Sequence, residues 1–191
     1  QQMLLRGAIY PVLENPGDIE VALKMQNYKD DLMRLGGFKL QIDGQGPTAY
    51  THKPHDGTSW DMPAWEPKIF KEIVLRLHEA GYQICTHCIG DAAVDLTLDA
   101  YEAAMNASPH SDPRHRIEHV TLSTPDSHQR MRDLGVIASY SATFLPQAGD
   151  YYLKNFKGQE NLIGSMRSWL DKGVAVCLNS DYPTTFWPAA R

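Results

Sequence analysis

The stretch Tyr82-Gln83-Ile84-Cys85-Thr86-His87-Cys88-Ile89-Gly90-Asp91-Ala92-Ala93-Val94 carries the reading from which the fold class follows. Gly81 ends a helical pattern just before it. Residues 82–86 then form a short β-like run bounded by turn signals. His87 stands at the end of that run, and Gly90-Asp91 turns the chain into a helix that Asp91 is placed to cap. Val94, Leu98, Tyr101 and Met105 follow at helical spacing and predict the buried face. A strand that passes through a polar turn into an amphipathic helix is half of a βαβ unit, and βαβ units build parallel sheets.

Working outward, the same unit recurs. Residues 115–120 predict a strand, followed by Thr124 as N-cap, Pro125 at the first helical position, Met131 and Leu134 facing inward, and Gly135 as terminator. A strand over 136–142, a helix over 162–172 ended by Gly173 and a strand over 174–180 complete that side. Upstream, residues 4–10 predict a strand. Residues 18–35 predict a helix, with Ile19, Leu23, Tyr28, Leu32 and Leu35 near helical spacing before Gly36-Gly37 stops it. A strand over 38–43, a long loop to Met62 and a helix from Pro67 with Phe70, Ile73, Val74 and Leu77 on one face follow. The sum is six strands alternating with five helices, without a linker or low-complexity tract: one α/β domain over residues 1–191.

Composition narrows the function classes. A chain of 191 residues with 42% hydrophobic content can bury one sizeable core, but a whole eight-stranded (β/α) barrel needs roughly 250 residues. The expected architecture is therefore part of such a barrel. The chain starts without an initiator methionine and stops just after a strand with no covering helix, which reads as a piece of a longer parent. A net charge of −5 from 18 basic and 23 acidic side chains leaves no basic stripe to follow phosphates, so nucleic acid is not an expected partner. No apolar run approaches the roughly 20 residues of a membrane span and no secretory leader pattern opens the chain. Cys85, Cys88 and Cys177 are an odd set with two on one strand, which points to a reducing compartment, the cytoplasm, rather than a disulfide framework.

Chemistry concentrates at the strand ends. Thr86-His87-Cys88-Ile89-Gly90-Asp91, Arg116-Ile117-Glu118-His119-Val120 and Asn179-Ser180-Asp181-Tyr182-Pro183 each close a β-like run. A lone histidine in such a place is more often a hydrogen-bonded core residue than a ligand. Two histidines and a carboxylate at the same end of three separate strands reverse that expectation, because those ends open into a barrel mouth where a catalytic metal is held. A lysine inside an apolar strand, Lys39, belongs to the same set. The reading is a metal-dependent hydrolase acting on a small molecule, with zinc preferred by two imidazoles and manganese or iron admitted by oxygen ligands. No serine sits in a Gly-x-Ser-x-Gly elbow.

Other signals are weaker. The loop over 44–62 holds Tyr50, His52, His55 and Trp60, either as a substrate-facing loop or as an ordered surface loop. Cys85-Thr86-His87-Cys88 has the C-x-x-C spacing but lies in a strand end, so packing is the better reading. His78, His110, His115 and His128 fall on helices or turns and read as surface residues.

The phrases Lys39-Leu40-Gln41-Ile42-Asp43-Gly44, His87-Cys88-Ile89-Gly90-Asp91, His115-Arg116-Ile117-Glu118-His119 and Ser180-Asp181-Tyr182-Pro183 resemble the amidohydrolase superfamily, in particular family 3, the branch that contains N-substituted formamide deformylases. The resemblance runs from Lys39 to Arg191. It implies a partial TIM (β/α)8 barrel, about strands three to eight, without the first βα units and the accompanying β-sandwich. It implies hydrolysis of C–N bonds other than peptide bonds, by a metal-activated water with Asp181 as general base. It further implies Lys39 as a carbamylated lysine bridging two metals, His87 and His119 as ligands of one metal and Asp181 as ligand of the other. A carbamate is an anionic oxygen ligand where an ammonium is a poor one. The plain alternative is that Lys39 snorkels or pairs with Asp43 or Asp181. The chain departs from the superfamily pattern in having no His-x-His before Lys39. Unpaired sheet edges should also favour association between copies, and a non-catalytic fragment with a structural or oligomerisation role is the competing reading.

Overall fold

A computed structural model describes residues 5–25, 28–55 and 62–185. Its centre is a five-stranded sheet of β3 (Gly37–Gln41), β4 (Gln83–Cys88), β5 (Arg116–His119), β6 (Ile137–Ser141) and β7 (Val176–Asn179), in that spatial order and parallel throughout. Long crossovers carry the helices α2 (Pro67–Glu79), α3 (Asp91–Ala107), α4 (Pro125–Asp133), α5 (Phe144–Asn155) and α6 (Met166–Asp171). Strand order following chain order is what successive βαβ units produce. The sheet and its flanking helices match part of a (β/α)8 barrel.

Local chemistry explains the helix starts. Glu66 caps α2 by accepting from the Lys68 and Ile69 amides at 3.1 and 3.0 Å, and Pro67 occupies a position where its missing N–H is not needed. Thr124 caps α4 by accepting from the Ser127 amide at 3.1 Å. The apolar stripe of α2, Phe70, Ile73, Val74 and Leu77, is buried against the outer face of the sheet, where Phe38, Leu40, Ile84, Ile117 and Ala138 form the core. Emptying the Phe70 site by Phe70→Ala would cost about 3–5 kcal/mol. Among the described residues, no helix is long and apolar enough to cross a membrane.

The opposite face of the same strands is polar. Parallel register places Lys39 beside Cys85, His87 beside Glu118, and Ser141 beside Asn179. Alternation along a strand therefore separates an apolar face under the helices from a face bearing Lys39, His87, Arg116, Glu118, Ser139 and Asn179.

Three expectations need correction. In place of a helix over 18–35 stand a 3₁₀ turn (Pro16–Asp18), a four-residue α1 (Ile19–Ala22) and a strand β2 (Met33–Leu35). The Asp30 carboxylate accepts from the Leu32 and Met33 amides at 2.7 and 2.6 Å, a side-chain turn that competes with helix, and β2 then pairs with β1 (Gly7–Ile9). The sheet is accordingly not six-stranded. The strand expected over 4–10 forms as β1 but pairs with β2 in a separate two-stranded sheet, and just after it, at residues 11–13, the chain runs alongside Lys39, which donates its amide to the Pro11 carbonyl and accepts from the Leu13 amide, both at 2.9 Å. Helix α5 has no counterpart in the periodicity reading, since Pro146 and Gly149 obscure it; Pro146 falls in the first turn, where it is tolerated.

Candidate active site

His87 and His119 lie at the carboxyl ends of β4 and β5, Asp181 just after β7, and Lys39 in the middle of β3. His87 closes β4 on the polar face. His119 follows the register of Cys88 and by pleat alternation belongs to the other face. Its φ of 74°, followed by 45° at Val120, breaks the pleat, and its ring lies against that of His87 with centroids 4.4 Å apart. Phe144 at the start of α5 stacks on the His119 ring at 5.1 Å.

Burial sets the protonation. His87 is pushed down to about 3 by desolvation, with the charge of Lys39 acting the same way. His119 is driven well below the usual imidazole range by desolvation, with His87 and Lys39 adding to it. Both rings are therefore neutral at physiological pH and carry an electron pair, the form in which imidazole binds a cation. His87 Nε2 is buried without a hydrogen-bond partner, 3.8 Å from Asp43 Oδ1. An orphaned buried ring nitrogen facing a carboxylate and a second neutral imidazole fits a cation that would satisfy it. Among the described residues, no three His, Cys, Asp or Glu side chains are arranged to hold an ion.

Lys39 lies within charge reach of both histidines and of Asp181. Desolvation lowers its pKa, against the pull of Glu118 and Asp181. Among the described residues its amine forms no ion pair, so the expected alternative of a pair with Asp43 or Asp181 is not what the side chains do. Asp181 has a φ of 52° and accepts the Thr185 amide at its carbonyl at 3.2 Å, while Thr143 Oγ1 donates to the Ser180 carbonyl at 3.1 Å. Burial raises the Asp181 pKa while Lys39 opposes it.

Asp43, quoted in the motif after Lys39 but given no task of its own, holds the site's frame. It accepts from the Tyr50, Ile89 and Gly90 amides at 3.1, 3.0 and 2.8 Å, which fastens the turn after His87. Burial raises its pKa to about 7 against those three donors. A Cβ on Gly90 would sit 1.8 Å from the Tyr50 carbonyl oxygen, so only glycine lets the two segments meet. Ser141 and Asn179 also reach the site, through His119; Ser141 bears no sequence signal beyond its place at a strand end.

Over residues 44–55 the loop is anchored by its own side chains. His52 Nε2 pairs with Asp95 at 2.8 Å, and His55 is buried against Phe156 with its Nε2 3.2 Å from the Ala49 carbonyl. Trp60 lies outside the described residues. Of the four histidines expected at the surface, His78, His115 and His128 are buried, at 1%, 0% and 2% exposure. Cys85 and Cys88 are free and buried, as packing residues should be.

Comparison with known proteins places this geometry. The amidohydrolase family model matches residues 6–190. The N-substituted formamide deformylase of Arthrobacter pascens is 28% identical over 98% of this chain and 35% of its own length. The protein LONG AFTER FAR-RED 3 of Arabidopsis thaliana is 26% identical over 96% of this chain and 33% of its own. The chain thus spans about a third of the length of the curated relatives it matches. Among solved structures, an uncharacterized metal-dependent hydrolase from Pyrococcus furiosus superposes with a TM-score of 0.76 at 22% identity, over 92% of this chain and 36% of that one. A match over nearly the whole sequence, together with this sheet and its helices, establishes that the chain belongs to the amidohydrolase family.

Proposed function

We propose that this chain supplies part of the active site of a metal-dependent hydrolase that cleaves C–N bonds other than peptide bonds in small amide-like or formamide-like substrates. The observation that carries the reading is the pair of neutral, buried imidazoles of His87 and His119, side by side at the ends of neighbouring strands, with a ring nitrogen that no protein group satisfies. The relatives support it: one is named a formamide deformylase, and a structural neighbour is titled a metal-dependent hydrolase.

His87 and His119 would hold a divalent cation, zinc by preference for two nitrogen ligands, with manganese or iron as alternatives. When bound, that ion polarises the scissile carbonyl and activates water for attack. Asp181 accepts the proton of the attacking water and returns it to the leaving nitrogen; a carboxyl whose pKa is raised by burial is suited to both transfers. Lys39, whose desolvation favours the neutral amine, adds to carbon dioxide with loss of a proton and becomes a carbamate, giving an anionic oxygen ligand where the sheet otherwise offers a cation.

Metal analysis of the purified chain after zinc addition at neutral pH, beside His87→Ala, tests the reading. Zinc in the wild type and its loss in the variant are expected. Equal content in both, or none in either, would favour a chain with a structural role only.

A further inference from the structure

A chain of hydrogen bonds behind His119 has only one consistent direction. The Asn179 side chain puts Nδ2 3.1 Å from the Ser139 carbonyl oxygen and 3.0 Å from Ser139 Oγ. A carbonyl can only accept, so the amide nitrogen must face Ser139 and the amide oxygen must face the other way. That oxygen is 2.6 Å from Ser141 Oγ, whose single hydrogen is therefore donated to it. With its hydrogen used, Ser141 Oγ can only accept from its other partner, His119 Nδ1, at 2.7 Å. Nδ1 must then carry a hydrogen, and the electron pair of the neutral ring is confined to Nε2.

The elements make this arrangement durable. Ser141 and Asn179 are register partners at the ends of β6 and β7, and Ser141 is fully buried. Phe144 stacked on one face of the His119 ring and His87 against it edge-on hold the ring plane while Ser141 holds one edge. The relay reaches His119 from two strands further along the sheet, on the side away from His87.

We propose that Asn179 and Ser141 are positioning residues that lock His119 in the Nδ1–H tautomer and so present Nε2 as the electron-pair donor to a divalent cation. This rests on the metal-site reading above for its purpose, although not for the tautomer itself. Outer hydrogen bonds of this kind orient ligating imidazoles and raise their basicity, and losing one typically lowers metal affinity about 10–100-fold.

The test is long-range proton–nitrogen correlation NMR of the metal-free 191-residue chain with labelled histidine, followed by titration with zinc ion alone. In the wild type, His119 should show a protonated Nδ1 and an unprotonated Nε2. Asn179→Leu, which frees the Ser141 hydroxyl to point either way, should give mixed tautomers and weaken zinc binding about 10–100-fold. Asn179→Asp, which keeps an oxygen acceptor for Ser141 and, in its protonated form, a donor to the Ser139 carbonyl, should restore the single tautomer and bring zinc affinity back toward wild type. A wild-type His119 protonated at Nε2 overturns the proposal without recourse to any variant, and so does an Asn179→Leu protein with both nitrogens and zinc affinity unchanged. The expected tautomer together with no zinc binding in any protein would leave the relay standing and sink the metal-site reading.

Discussion

Two buried histidine pairs sit at opposite ends of the same strands, and they differ in one respect. At the amino ends, His78 on α2 and His115 just before β5 have every ring nitrogen engaged. The Ile84 amide donates to His115 Nδ1 at 3.1 Å, His115 Nε2 lies 2.9 Å from His78 Nδ1, and His78 Nε2 lies 2.7 Å from the Ser108 carbonyl. The donors and acceptors close when both rings are neutral, with His115 donating to His78 and His78 to Ser108. At the carboxyl ends, His87 and His119 are also buried and also depressed in pKa by desolvation, but His87 Nε2 is left without a partner. Burial and a shifted pKa therefore do not separate a structural histidine from a functional one. The pairs differ in completeness of hydrogen bonding, although an open ring nitrogen is not unique to His87, since His55 Nδ1 and His128 Nδ1 are also buried without a partner.

The largest expected effect lies at the carboxyl end. His119→Ala should abolish zinc binding and lower the proposed hydrolysis of an N-substituted formamide roughly 100-fold or more, the scale on which one lost electrostatic element acts. Its denaturation midpoint in the absence of metal should also fall, because the buried ring packs against Phe144 and His87 and pairs with Ser141. A variant that keeps its turnover would break the comparison at its functional half.

At the other end the expected loss is of stability. His115→Ala leaves the Ile84 amide and His78 Nδ1 unpaired in the core and should cost about 1–3 kcal/mol from the stranded polar groups, plus a cavity contribution. Urea unfolding measures it, and zinc stoichiometry should not change. An unfolding midpoint within error of wild type would mean that the amino-end pair is not structural.

Acid sharpens the comparison further. Burial pushes His115 down to about 3, with the charges of His78 and His110 acting in the same direction, whereas an unfolded chain protonates its histidines near 6.5. Between those values the unfolded state binds more protons, so the stability that the neutral ring provides is complete above about 6.5 and lost as pH falls toward about 3. The slope from one such histidine is at most about 1.4 kcal/mol per pH unit. His115→Phe should flatten the pH dependence of the unfolding free energy over that window by up to this amount. An unchanged slope would assign the acid sensitivity to other groups.

The smallest effect is predicted for the loop before α2. His52→Ala removes a partly exposed pair with Asp95 and should change stability by less than about 1 kcal/mol, with no change in zinc binding or in Km for a small amide. A raised Km would restore the substrate-facing reading of that loop.

Much of this was legible beforehand, and the misses share a cause. Periodicity located β3 to β7 and α2 to α4 because each buries one face and is closed by caps or glycines that act locally, such as Thr124 and Gly81 with its φ of 78°. It failed over residues 18–35, where an Asp30 side-chain turn and pairing with β1 outweigh an approximate helical spacing. It also misread His78 and His115 as surface residues, because each ring is satisfied by a partner 37 positions away, which no local window contains.

By itself the sequence determined that the chain is a run of βα units, that the sheet is parallel, that His87, His119 and Asp181 stand at strand ends and that Lys39 lies inside a strand. These follow from spacing, capping and the turn residues, all short-range properties of the chain. Only the tertiary structure decided which of those residues meet. His119 belongs by alternation to the face opposite His87, and a positive φ at one residue turns it inward. Its tautomer is set by Ser141 and Asn179, from strands that register alone brings beside it. Backbone handedness at a strand end and pairing across a sheet are settled by packing, which leaves no trace in local periodicity.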